Sequence, residues 1–64
     1  MPKRIRELIR DLEMAGFVNR GGKGSHRNFI HASGVVLTVS GQPRNDAKPY
    51  QIKLVREKIE ETRK

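Results

Sequence analysis

Three glycines fall within four positions, Gly21, Gly22 and Gly24, and no stable helix passes through such a stretch. The chain must turn there. In a chain of 64 residues this divides the sequence into a segment before the turn and a longer one after it.

Before the turn, Ile5, Leu8, Ile9 and Leu12 recur at the spacing of one helical face, with Lys3, Arg6, Arg10 and Glu13 on the other side. This predicts a helix over 2–15. Gly16 suits the position just past a helix end, where positive φ is needed, and Phe17 can fold back onto the helix. A short extended segment begins at 17–19. After the turn at 21–25, residues 26–32 read as a second strand. Ser33-Gly34 is a hairpin-type turn, and Val35-Val36-Leu37-Thr38-Val39 is rich in β-branched residues and is the strongest strand. The stretch 41–46 breaks the pattern and forms a loop. Ile52, Val55 and Ile59 then lie on one face of a final helix, with Tyr50 and Leu54 at its edges. Asp46 is a candidate cap for its start, and Pro49 suits the first turn.

The expected architecture is a single α+β domain over 1–64, ordered α-β-β-β-α. Its three-stranded antiparallel sheet carries both helices on one face and leaves the other face to water. That outline matches double-stranded-RNA-binding domains. A domain of this size buries only about 60% of its unfolded surface. It has no room for a deep cavity, so any site lies on an open surface, which favours a polymeric partner over a small metabolite.

Charge narrows the partner further. Net charge is +7, and residues 14–45 carry Arg20, Lys23, Arg27 and Arg44 but no acid. An acid-free basic stretch of this length points to a polyanion. Cysteine is absent, which removes disulfides, thiolate metal sites and thiol catalysis. The longest apolar run, Val35-Val36-Leu37, is far below a membrane span, and the opening Met1-Pro2-Lys3-Arg4-Ile5-Arg6 has no apolar signal core. A cytoplasmic location with no membrane partner is expected.

Strand alternation sorts the residues after the turn. Phe29 belongs to the core and His31 shares its parity, whereas His26, Asn28 and Ile30 fall on the open face. His26 therefore emerges directly after the glycine-rich turn, with Lys23, Ser25 and Arg27 around it and Arg20 across the turn. RNA cleavage needs a group that takes a proton from the 2′-hydroxyl or gives one to the leaving 5′-oxygen, and imidazole does either near neutrality. Cations hold the phosphate. Glycines let backbone N–H groups approach its oxygens.

His26 and His31 differ by an odd number of residues, so a regular strand points them to opposite faces, against a shared metal site. His31 is read as a rim residue of the core, able to support the site through a hydrogen bond. Gly21-Gly22-Lys23-Gly24-Ser25 lacks the spacing of a nucleotide-binding P-loop, and no helix follows it. No cofactor, metal or small-molecule partner is expected. Phe17, Phe29 and Tyr50 are read mainly as core residues. The candidate catalytic residue is His26. The candidate RNA-binding residues are Arg20, Lys23, Gly24, Ser25, Arg27, Asn28, Arg44 and Lys48. The competing reading is a non-catalytic basic RNA-binding module.

Lys23-Gly24-Ser25-His26-x-x-Phe29-x-His31 resembles the signature of HicA-type mRNA interferase toxins, and length and element order match as well. By that resemblance His26 corresponds to the catalytic histidine, Gly24 and Ser25 to the turn presenting it, and Phe29 to the aromatic core position. The resemblance implies mRNA cleavage, a fold like that of double-stranded-RNA-binding domains, and neutralisation by a HicB-type antitoxin. The sequence departs from many members where the last helix opens. They carry a Gly-Thr pair there, and this chain reads Asp46-Ala47-Lys48-Pro49-Tyr50.

Overall fold

The computed structural model describes residues 3–63. Its elements are α1 (Ile5–Met14), β1 (Val18–Gly21), β2 (Arg27–Ile30), β3 (Val36–Val39) and α2 (Pro49–Thr62). The strands form an antiparallel sheet in the order β1-β2-β3. The α+β class and the α-β-β-β-α order are those expected from the sequence.

Helix α1 buries Ile5, Leu8 and Leu12 and half-buries Ile9. It begins later than the hydrophobic pattern suggests, and the expected start at residue 2 lies outside the described residues. Arg4 is extended and bridges to Asp46, so it is held strand-like and not as part of the helix. The free N–H groups of the first turn find partners in the loop preceding α2. Ile5 N–H donates to the Asn45 carbonyl at 2.8 Å and Arg6 N–H to the Pro43 carbonyl at 3.0 Å. The Glu7 carboxylate accepts from Arg4 N–H at 2.8 Å. At the other end Phe17 N–H reaches the Leu12 carbonyl and Gly16 N–H the Glu13 carbonyl, at 2.9 and 3.1 Å, with Gly16 at φ +99°. This is a Schellman cap, and it needs glycine at the left-handed position.

Strand β1 takes in Gly21, which the sequence pattern assigns to the turn. Asn19 pairs with Phe29 and Gly21 with Asn28, so Arg20 is the extra residue of a bulge. The Asn19 side-chain oxygen accepts from Gly21 N–H at 2.7 Å and fixes the kink. Strand β2 is shorter than expected at both ends: His26 precedes it and His31 follows it. The β2–β3 connection spans residues 31–35 and is closed by Gly34 N–H on the His31 carbonyl and His31 N–H on the Val35 carbonyl, both at 2.9 Å.

Helix α2 opens with Pro49 in its first turn, as expected, but its cap is Lys48 and not Asp46. Asp46 is already committed to the bridge with Arg4, two positions too early to cap the helix. Gln51, in the first turn, satisfies the cap residue itself, its side-chain oxygen accepting from Lys48 N–H at 2.9 Å. Lys53–Glu57 is an exposed pair one turn apart and Lys58–Glu61 a pair whose lysine is half-buried, each worth a few tenths of a kcal/mol.

The core lies between the helices and one face of the sheet. Ile5, Leu8, Leu12, Phe17, Phe29, Leu37, Val39, Ala47 and Val55 are all buried in one cluster. Full burial of each large member contributes roughly 1.5–3 kcal/mol. Tyr50 departs from the expectation of a core role. It is 60% exposed, because the buried stripe of α2 runs through Gln51 and Val55. Among the described residues, no helix is long and apolar enough to cross a membrane.

Candidate functional site

The sheet has one covered face and one open face. Phe29, Leu37 and Val39 point to the core, whereas Asn28, Ile30, Val36 and Thr38 are exposed. His26 is also exposed, one position before β2 and in phase with Asn28 and Ile30. Its backbone N–H donates to the Lys23 carbonyl at 3.0 Å, closing a turn over Lys23–His26 in which Gly24 takes φ +58°. The turn puts His26 at the lip of the glycine loop with Lys23 and Gly24 exposed beside it and Ser25 half-buried beneath.

Gly22 supports this turn by having no side chain. A Cβ there would collide with the His26 carbonyl oxygen and sit 3.0 Å from its carbonyl carbon. The loop can therefore fold against the His26 backbone only with glycine at this position.

Arg27 anchors the turn from the other side. Its half-buried guanidinium donates to the Gly41 carbonyl at 3.0 Å and to the Ser25 carbonyl at 3.4 Å. It links the glycine loop to the β3–α2 loop. That loop is fixed in turn by Gln51, whose amide N–H donates to the Ser40 carbonyl at 2.8 Å, and by Arg4, whose guanidinium donates to the Arg44 carbonyl at 2.7 Å. Gln51 is 7% exposed with both ends of its amide engaged. Sequence reasoning missed it, because a glutamine among apolar helix positions gives no sign of what it will meet.

These links tie together two loops that carry most of the predicted residues. Lys23, Gly24, Ser25, His26, Arg27 and Asn28 come from one stretch of chain. Arg44 and Lys48 are exposed on the loop that Arg27 and Gln51 tie to it. Arg20 stands at the bulge of β1, where Gly21 pairs with Asn28. Arg27 is the exception in kind: its guanidinium is spent partly on backbone carbonyls, so it holds the loop more than it faces solvent.

His31 is placed elsewhere. Its ring packs on Phe17 with centroids 5.1 Å apart, and its Nδ1 meets the Ser33 hydroxyl at 2.9 Å and accepts from Ser33 N–H at 3.0 Å. It supports the β2–β3 turn, at the end of β2 away from His26. The hydrogen bond expected of it goes to that turn and not to the site. Among the described residues, no group of three or more His, Cys, Asp or Glu is placed to hold a metal ion.

A small basic α-β-β-β-α domain with an exposed histidine on a braced glycine loop is the class defined so far. A family comparison gives it a place: a model of the HicA toxin of bacterial toxin–antitoxin systems matches residues 5–60. The chain belongs to the HicA toxin family. It is thus a toxin of a toxin–antitoxin pair, with an antitoxin as partner. No curated protein matches it.

Proposed function

We propose that this toxin is an endoribonuclease that cleaves mRNA with His26 as general acid/base. The observation that supports it most is the setting of His26: exposed to solvent, on a loop braced by Gly22 and Arg27, within a carboxylate-free basic stretch. In the reaction, His26 takes the proton of a 2′-hydroxyl. The 2′-oxygen attacks the adjacent phosphorus, and the bond to the 5′-oxygen breaks. The product is a cyclic phosphate and a 5′-hydroxyl, which gains its proton from solvent or from the imidazolium. Lys23, Arg20, Arg44 and Lys48 hold phosphates, the loop N–H groups at Gly24 and Ser25 approach the scissile phosphate, and Asn28 faces the substrate.

The partner is a HicB-type antitoxin that covers the His26 face with carboxylates, and both proteins act in the cytoplasm on this reading. The test is incubation of labelled mRNA with the protein and with His26→Ala, each with and without a chelator. Cleavage by the wild type in both buffers, lost in a folded His26→Ala variant, is expected. Full cleavage by that variant removes His26 from the mechanism, and retention of RNA without cleavage by the wild type assigns a binding module instead. Loss of cleavage in the chelator alone contradicts the metal-free step. Cleavage at the free rate by the toxin–antitoxin complex contradicts the covered site.

A further inference from the structure

The open face of the sheet is not a flat polar surface. Its register sets out two rows across the strands. In one, Val18, Ile30 and Val36 stand side by side, 55%, 41% and 57% exposed. In the other, Asn28 pairs with Thr38, and Arg20 flanks them at the bulge. Between the rows runs a shallow groove of about 280 Å³ lined by Arg20, Asn28, Ile30, Val36 and Thr38. That is just below the ~300 Å³ at which pockets for drug-sized ligands begin, and enough for one flat ring system.

The polar group in this groove is held in one orientation. Thr38 donates its hydroxyl hydrogen to the Asn28 side-chain oxygen at 2.7 Å. That leaves the Asn28 amide N–H₂ without a partner among the described residues. A fixed amide donor above an aliphatic floor suits the edge and face of a nucleobase: the edge offers acceptors and the ring packs on Ile30 and Val36.

Position argues the same way. Asn28 is two residues from His26 along one strand direction, or about 7 Å, comparable to the reach from a phosphate to a neighbouring base. No carboxylate occurs anywhere in residues 14–45 to repel the backbone.

We infer that this groove is a base-binding subsite, in which Asn28, oriented by Thr38, selects the nucleobase next to the bond that His26 attacks. This rests on the RNA-cleaving reading of His26. It adds that the substrate is single-stranded at that nucleotide, because a paired base cannot lay its ring on Ile30 and Val36. Thr38 is a positioning residue: it acts through Asn28.

The test uses the full chain carrying His26→Ala, titrated with single-stranded RNA tetranucleotides that hold each of the four bases, or no base, at successive positions. At one position, removing the base is expected to weaken binding about tenfold and to abolish the shift of the Ile30 and Val36 methyl resonances. At that position Asn28→Ala erases the preference among bases and Thr38→Val reduces it, whereas Lys23→Ala weakens all sequences alike. Equal binding with and without bases overturns the subsite, as does an unchanged preference in Asn28→Ala. Methyl resonances of Ile30 and Val36 that ignore bound RNA also overturn it, and leave the apolar row to a protein partner. Failure of the two readings is distinguishable. Base-dependent binding by a wild type that cuts no RNA removes the nuclease and keeps the groove. Cleavage with no base dependence does the reverse.

Discussion

Gly22 has an ordinary backbone conformation, so its requirement for glycine comes from packing alone: any Cβ meets the His26 backbone carbonyl. Backbone atoms cannot swing aside as a side-chain tip does, so a larger residue must displace the loop or His26. A shift of about 1 Å at a catalytic group costs on the order of a hundredfold in rate. Gly22→Ala is therefore expected to lower the urea midpoint, because the clash is with backbone, and to lower RNA cleavage by the protein that remains folded by at least about tenfold. Cleavage at the wild-type rate would show that the loop adapts. In the sequence Gly22 is one glycine of three in a turn, and Arg27 is one basic residue of several. Only its contacts with Ser25 and Gly41 show that Arg27 braces the His26 turn. His26 itself was legible, because strand alternation counted from Phe29 puts it on the solvent side and the structure leaves it exposed. His31 was legible only in part. Parity placed it at the rim of the core, but its tie to Ser33 depends on the geometry of a turn that the sequence does not draw.

Element by element, the helices and strands follow local pattern, and several of their ends do not. The period of Ile5, Leu8 and Leu12 fixes α1, and Gly16 ends it at the expected place. Its start is decided by distant carbonyls, Pro43 and Asn45, which reach the first turn only in the folded chain. The start of α2 shows the same thing. Asp46 has the right side chain for a cap, but its backbone is bridged to Arg4 two positions before the N-cap, and the side-chain bond at the helix start is that of Gln51 to Lys48 N–H. The β2–β3 turn is local by contrast. Gly34 holds φ +96° with open space around it, so its need for glycine is conformational. Gly34→Ala is expected to cost about 1–2 kcal/mol, read as a lower urea midpoint, with cleavage by the folded protein unchanged because the turn is at the far end of β2 from His26. A variant as stable as the wild type would mean that the turn relaxes to another form.

For the molecule as a whole, charge and size act together. The covered face of the sheet holds the core, so the basic residues and His26 share what remains, and a polyanion can meet several at once. Neutralising about four phosphates of a single strand gives a slope of log affinity against log salt near −3. Binding of single-stranded RNA to His26→Ala between low and moderate salt is expected to show that slope. A slope near zero would place the affinity in apolar contacts and not in Arg20, Lys23, Arg44 and Lys48. The same lack of volume that forbids a deep cavity makes Tyr50 a surface residue: one helix stripe through Gln51 and Val55 already fills the space against the sheet.

By itself the sequence determined the element order, the inward faces of α1, β2 and β3 and the outward position of His26. These depend on local periodicity, on glycine and on β-branched side chains, all of which act within a few residues. The tertiary structure alone decided how the glycine loop is braced, where each helix begins and what the open face presents. Each of those depends on atoms far apart in the chain: Arg27 with Gly41, Gln51 with Ser40, Ile5 with Asn45, Thr38 with Asn28. A backbone carbonyl leaves no mark in a sequence, and in these contacts it is most often the acceptor.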